Sequence, residues 1–254
     1  MTDLASLIAT SRVAGEPGRH LAIAAEGNIS LRASDDSMWI KASGCSLATL
    51  GDDDVLLVDR APIRALLDDP TADDAAVTAA YASCVIEGQS GRRPSVEALL
   101  HGVLYDTTDA ACILHTHPIA VNRLLCSVAA DALVAGAVFP DQIVMLGQRQ
   151  LLVPYVDPGL PLAREVRTQV QHFTDEEGAP PTVVYLRNHG VFVMAPTPEQ
   201  ALAMTEMCVK VASVIEGALA VGGPVYLDSA SSRRIETRPD EHYRRRMLDG
   251  SEGR

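Results

Sequence analysis

Nowhere in the chain of 254 residues does an apolar run reach the roughly 18 residues that a membrane-spanning helix requires. The first dozen residues lack the basic start and apolar stretch of a secretory signal, so a cytoplasmic location with no membrane partner is expected. Basic residues are also scarce. Lys and Arg number 21 against 33 Asp and Glu, a formal net charge of -12, which argues against nucleic acid as a partner because polyanions attract a Lys/Arg excess. Any phosphorylated substrate must then be met by local groups. The five cysteines include no Cys-x-x-Cys pair, and an odd number cannot all pair within one chain, so mostly buried free thiols are expected. Neither a repeat at solenoid or propeller period nor a low-complexity linker is visible.

What is present is ordinary globular composition, 47% apolar and 21% charged, and the simplest organisation is a single domain over residues 1–254. Residues 229–254 form a charged C-terminal tail, with Arg233-Arg234 and Arg244-Arg245-Arg246, that either wraps a neighbouring subunit or is solvated. Residues 4–24 read as helix, turn and short helix, and Glu26-Gly27-Asn28 as a turn. Two short strands, 29–32 and 37–41, follow as a hairpin around Ser34-Asp35-Asp36, and 55–59 is a third strand. The alanine-rich stretch 72–87 is helical in character, and Pro94-Ser95 opens a helix running to about residue 105. Residues 110–117 are a buried strand stopped by Pro118, with a helix over 119–126 beyond it. Short strands are expected at 137–139, 143–146 and 151–154, and a helix at 162–173. Strands at 182–186 and 191–194 flank Asn188-His189-Gly190, and 198–221 is a long closing helix. Mixed elements of this kind imply a layered α/β or α+β domain.

His115-Thr116-His117 is the most informative tripeptide. Residues two apart on an extended strand share a face, so both imidazoles can reach one ion. Two satisfied polar histidines at a strand end are the alternative reading. The apolar run Cys112-Ile113-Leu114 before them places the rings where a buried strand surfaces, a common position for chemistry. His189 supplies a third candidate ligand, with Gly190 allowing a tight backbone approach. Three neutral imidazoles suit Zn2+ with an open coordination position, and other divalent transition metals remain possible. Glu97 lies four residues before His101 on the expected helix. It reads either as a carboxylate complementing the helix dipole or as a proton-transfer group raised toward neutrality by desolvation. His101 is assigned a structural, supporting role beside the site.

Gly27-Asn28-Ile29-Ser30 and Ala42-Ser43-Gly44 read either as ordinary turns or, with Ser95 at a helix N-terminus, as an anion cradle. Taken in order, Gly27-Asn28-Ile29-Ser30, Ser43-Gly44, the segment 94–101, His115-Thr116-His117-Pro118 and Asn188-His189-Gly190 resemble the class II aldolase/adducin family over roughly residues 4–221. That resemblance implies a three-layer α/β/α fold with a mainly antiparallel central sheet. It also implies a zinc-dependent site at a subunit boundary, and a homo-oligomer, usually a tetramer. By carry-over His115, His117 and His189 are metal ligands, Glu97 the catalytic acid/base, and Asn28, Ser43, Gly44 and Ser95 the phosphate neighbours.

The resemblance implies a small phosphorylated sugar as substrate. Ser95-Val96-Glu97, Phe139-Pro140-Asp141 and the segment 153–159 look most like aldolases of the rhamnulose or fuculose 1-phosphate type, which cleave a deoxyketose 1-phosphate to dihydroxyacetone phosphate and an aldehyde. Epimerase, decarboxylase or dehydratase chemistry through the same enediolate is the alternative, and a non-catalytic adducin-like module is a third reading. Two departures stand out. Val96 occupies the place of a second serine in fuculose-phosphate aldolases, and the expected tyrosine has no counterpart near Phe139, leaving Tyr226 or Tyr243 to reach across an interface.

Overall fold

A computed structural model describes residues 4–88 and 91–238. Helix α1 (Leu4–Ala14) and a 3-10 turn (Pro17–Arg19) lead into the hairpin of β1 (Asn28–Arg32) and β2 (Ser37–Lys41). Then come β3 (Val55–Asp59), α2 (Ala61–Asp68), α3 (Asp74–Ser83), β4 (Val85–Glu87), α4 (Ala98–Thr107), β5 (Cys112–Thr116) and α5 (Ile119–Leu125). The chain continues through α6 (Pro140–Leu146), β6 (Leu151–Val153), α7 (Leu160–Glu177), β7 (Val183–Leu186), β8 (Gly190–Ala195), α8 (Pro198–Ala220) and α9 (Ser229–Thr237).

The strands make one sheet in the order β4-β3-β2-β1-β5-β8-β7-β6. All neighbours are antiparallel except β6 and β7. The period-two alternation of strands feeds two separate cores. Cys112 and Leu114 of β5, with Val191 and Val193 of β8, pack on one side with Leu7 of α1, Val121 of α5 and Val211 of α8. Ile113, Phe192 and Met194 face the other way, onto Ile63 of α2, Val103 of α4 and Val166 of α7. Helices thus cover both sheet faces, and β5 and β8 are buried along their whole length. Their near-continuous apolar sequence reflects burial on both sides.

Helix ends follow local chemistry. Asp73 accepts a hydrogen bond from Ala76 N at 2.9 Å to start α3, and Thr197 accepts one from Gln200 N at 3.2 Å to start α8. Gly178, at φ 77°, closes α7 in the left-handed conformation.

Four expectations change. Residues 143–146 are helix, not strand: Pro140 and Asp141 start α6, Gly147 stops it at φ 80°, and Ile143, Val144 and Leu146 bury one side. A short apolar run does not by itself distinguish the two states. Residues 137–139 form no strand. The alanine-rich stretch 72–87 is divided, because Val85–Glu87 leaves the helix to pair with β3 as an edge strand. Helix α4 begins at Ala98, since Ser95 N donates to Lys41 O at 3.0 Å and Pro94 bridges Ala42, which ties residues 94–95 to the end of β2.

The first part of the expected tail is helix α9, capped by Asp228 (Ser231 N to Oδ1, 2.7 Å) and packed on α6. Arg244-Arg245-Arg246 and Tyr243 lie outside the described residues. Cys84, Cys112 and Cys208 are buried, Cys45 is half-buried and Cys126 exposed, all free thiols. Among the described residues, no helix is long and apolar enough to cross a membrane.

Gly15 leaves α1 where an added Cβ would land on the backbone of Ala48. Gly15→Ala is therefore expected to cost ~1–3 kcal/mol by overpacking and to lower Tm by several degrees. Calorimetry showing an unchanged Tm would contradict this tight contact between helix and turn.

Candidate metal centre

Each functional side chain is delivered by a different constraint of the backbone. His115 sits at the end of β5, paired with Phe192 of β8, and its ring stacks on that phenyl at 4.0 Å and 16°. Its Nδ1–H donates to Val191 O at 3.0 Å, which leaves Nε2 facing outward. His117 lies just beyond the strand, held by its amide bond to Leu21 O at 2.9 Å. His189 occupies the β7–β8 turn, in which Asn188 adopts φ 58°.

The neighbouring Gly190 is needed for space rather than for an unusual φ. A Cβ there would come within 2.5 Å of Thr116 O, 2.6 Å of His117 Cδ2 and 3.3 Å of His115 Cε1. Glu97 stands at the foot of α4, its carbonyl accepting from Leu100 N and His101 N at 2.9 and 3.2 Å. Its side chain makes no capping bond, so the carboxylate is released toward the histidines.

These four groups converge. Glu97 Oε2 lies 3.1 Å from His115 Nε2, Glu97 Oε1 lies 2.8 Å from His189 Nε2, and His117 Nε2 lies 2.8 Å from His115 Nε2. One ligand atom from each of the four lies within 4.8 Å of every other. The orientation of His115 sharpens the point. With Nδ1 taken up by the backbone, His115 Nε2 is the atom turned toward both a carboxylate oxygen and a second imidazole nitrogen, where a shared cation would sit. Three imidazole nitrogens and a carboxylate oxygen form a donor set that fits a divalent transition metal.

Burial, then the nearby His115 and His189, lowers the pKa of His117 to about 3. It therefore stays in the neutral form that ligates metal. The expectation for Glu97 is reversed. Burial does push its carboxyl upward, but the charges and hydrogen bonds of His115 and His189 outweigh that and hold it well below the ordinary carboxylate range. A bound dication acts in the same direction.

A cleft of about 490 Å³ opens beside the cluster, lined by Asn28, Ser43, Gly44, Ser95, Glu97, His117 and His189 together with Glu26, Lys41, Val96, Pro158 and Gly159. All four expected phosphate neighbours reach this wall, on different terms. Ser43 and Gly44 form its open turn, with Gly44 at φ 80°. Asn28 is only 2% exposed and is already bonded to Glu97 Oε2 at 2.6 Å. Ser95 does not open a helix, because its amide is taken by Lys41 O. Ser30, from the same motif as Asn28, faces away into the layer of α4, bonded to His101 and Tyr105.

Two lining residues carry no signal beyond their type in the sequence pattern. Lys41 reads as a strand end, yet it is 2% exposed. Its Nζ donates to Cys45 O at 2.6 Å and Ala25 O at 3.3 Å, and burial lowers its pKa. A lysine closing an apolar strand just before Ala-Ser-Gly was the available hint. Glu26 reads as a turn residue, and its Oε2 accepts from Ile23 N at 3.0 Å while lying 3.8 Å from His117 Nδ1. Val96 is 70% exposed and brings no hydroxyl. Tyr226 is engaged elsewhere, its OH donating to Ala132 O at 2.8 Å.

The family model for the class II aldolase and adducin N-terminal domain matches residues 5–215. The chain belongs to this family. Among curated relatives, methylthioribulose-1-phosphate dehydratase of Azotobacter vinelandii is 29% identical over 195 residues, 74% of this chain and 82% of that protein. The dehydratase of the same name from an Exiguobacterium species is 27% identical over 183 residues, 69% of this chain and 75% of that protein. YuxG of Bacillus subtilis, an uncharacterized oxidoreductase, is 29% identical over 70% of this chain, which spans only 24% of that protein. Solved structures share the fold. YgbL of Klebsiella pneumoniae superposes with a TM-score of 0.70 at 20% identity, covering 92% of this chain and 99% of its own. An L-fuculose 1-phosphate aldolase superposes at 0.69 and 20% identity, covering 92% and 94%. With the histidine–glutamate cluster in place, this class II aldolase family member is a metal-dependent lyase in kind.

Two outcomes follow from the geometry. Adding zinc to chelator-treated protein raises Tm, and His189→Ala abolishes that rise; an equal rise in the variant would remove His189 from the ligand set. The metal-free chain is also acid-sensitive. His101 and His117 fall from an unperturbed 6.5 to about 3 when folded, so the unfolded state takes up their protons first. Stability is then lost as pH falls below about 6.5, by at most ~1.4 kcal/mol per pH unit per histidine, and urea titrations between pH 4.5 and 7 measure it.

Proposed function

We propose that the chain holds a divalent transition metal, zinc foremost, through His115, His117 and His189, and uses Glu97 to move protons on a small ketose 1-phosphate. The convergence of these four groups, with Glu97, His117 and His189 lining one cleft and His115 buried behind them, carries the reading. The bound metal supplies Lewis-acid polarisation of the substrate carbonyl and stabilises the negative charge that develops there. Glu97 takes the proton from the hydroxyl-bearing carbon next to that carbonyl, its carboxylate oriented by the bond of Oε2 to Asn28. Lys41, Ser43, Gly44 and Ser95 meet the phosphate with Asn28 beside them, and Lys41 is the local cation that an acidic protein needs for an anionic substrate.

Elimination of water from the enediolate so formed is favoured over cleavage of a carbon–carbon bond. Cleavage would begin instead with loss of the proton from the hydroxyl of the next carbon and yield an enediolate as its product. Loss of the hydroxyl from the next carbon, protonated on departure by Glu97, gives water and an enol that tautomerises to a 1,2-dicarbonyl. Two observations support this over the deoxyketose aldolase reading. The methylthioribulose-1-phosphate dehydratases align along most of their length, and the described lining of the cleft offers carboxylates but no tyrosine. The same proposal includes a single domain, a homo-oligomer with a tetramer favoured, and a cytoplasmic location. Exposed Val128, Val214, Val221 and Val225 are consistent with covered surfaces in an assembly. An adducin-like module without chemistry has no use for a buried carboxylate aimed at three imidazoles.

The deciding experiment incubates the zinc-loaded protein with ketose 1-phosphates, among them methylthioribulose, rhamnulose and fuculose 1-phosphates. A dicarbonyl trapped by an aromatic diamine reports dehydration, whereas free aldehyde with dihydroxyacetone phosphate reports cleavage. Glu97→Gln is expected to keep its metal and lose ~10²-fold or more in turnover. His115→Ala is expected to lose the metal itself. Full activity in Glu97→Gln would overturn the assignment of the acid/base.

A further inference from the structure

Behind Glu97 runs a buried chain of polar groups, of which the lyase reading uses only the first link, Asn28. Glu97 Oε2 is bonded to Asn28 Nδ2 at 2.6 Å, and Asn28 Oδ1 to His101 Nε2. His101 Nδ1 is bonded to Ser30 Oγ at 2.6 Å, and Ser30 Oγ to Tyr105 OH at 2.8 Å. Asn28 and Tyr105 are 2% exposed, and Ser30 and His101 are fully buried. At the far end the Arg32 guanidinium lies over the Tyr105 ring at 4.8 Å.

Polarity along the chain is decided by its carboxylate end. An ionised Glu97 only accepts, so Asn28 must turn its NH2 toward it and its carbonyl oxygen toward His101. That oxygen only accepts, so the His101 proton is on Nε2 and Nδ1 is bare. Ser30 must then donate to Nδ1, and Tyr105 to Ser30. Every proton points toward Glu97, from a cationic end to an anionic one.

We propose that His101 is a positioning residue for Glu97, acting through Asn28. The proposal rests on the reading of Glu97 as the acid/base. His101 and Glu97 lie one turn apart at the start of α4, with His101 N on Glu97 O at 3.2 Å, and Asn28 on β1 closes the triangle between their side chains. Oε2 is thereby held in place beside His115, while Oε1 meets His189. The link is an anchor and not a proton wire. A carboxamide has no ionisable proton to pass along, so a proton taken by Glu97 stays available for the substrate. Hydrogen bonds in such a buried series reinforce one another, and breaking one loosens those beyond it.

The test compares His101→Leu, which removes both ring nitrogens, with His101→Gln, which restores a donor at the place of Nε2, and with Glu97→Gln. Zinc stoichiometry is expected to stay unchanged in the His101 variants, because the ligands remain. His101→Leu should lower kcat ~10–100-fold for the ketose 1-phosphate turned over in the panel above, with KM within about threefold, and His101→Gln should recover most of the loss. In the unmodified protein labelled with 15N-histidine, His101 should appear as the neutral Nε2–H tautomer. An Nδ1–H tautomer, or equal turnover in the Leu and Gln variants, overturns the proposal. Full turnover in Glu97→Gln instead overturns the acid/base reading, and the tautomer measurement still decides the polarity of the chain.

Discussion

The close approach of β5 to the turn before β8 is the contact on which the rest of this molecule depends. Gly190 has no room for a side chain beside Thr116 O and the rings of His115 and His117. That absence of a Cβ lets a residue 72 positions beyond His117 bring a third imidazole to the pair. The antiparallel ladder from His115↔Phe192 to Cys112↔Ala195, buried on both faces by two helix layers, keeps the three nitrogens from drifting apart. A site built on paired strands in the middle of a sheet is more rigid than one built on loops alone.

The carboxylate is added to this frame from a different direction. Helix α4 starts late because Pro94 and Ser95 are stitched to the end of β2, and this delay places Glu97 at the corner with its side chain free of any capping duty. One of its oxygens meets His189 and the other meets both His115 and Asn28. The environment is neither apolar nor open. Burial alone would favour the neutral acid, but the facing imidazoles favour the anion, and they prevail. A carboxylate held ionised and oriented beside a metal site is prepared to accept a proton from a carbon acid. Lys41, fully inside the wall of the same cleft, reconciles an acidic protein with an anionic substrate by placing one cation where it is needed instead of spreading many over the surface.

Much of this was legible from the residues alone, for identifiable reasons. The β1–β2 hairpin, β3, β5, β7 and β8 follow from alternation or short apolar runs bounded by turn residues, and α7 and α8 from long helical periodicity with clear ends. Short segments were not legible. Ile143-Val144 are β-branched, yet Pro140, Asp141 and Gly147 at the ends, and a buried side to pack, make them helical. Val85–Glu87 is a strand only because β3 offers it an edge, and no local pattern records that.

At the site, the sequence by itself determined which residue types were available: a His-x-His pair at a strand end, a His-Gly between two strands, and a glutamate near the start of a helix. Each is local chemistry that spacing and neighbours reveal. Tertiary structure alone decided that these segments meet, that Ser30 turns away from the cleft while Asn28 commits an amide to Glu97, and that Lys41 is a wall residue and not a surface charge. It also decided the sign of the Glu97 shift. The physical reason is common to all of these: a pKa, a tautomer or a free hydrogen-bonding group depends on what lies within a few ångströms, and those neighbours come from residues far apart along the chain.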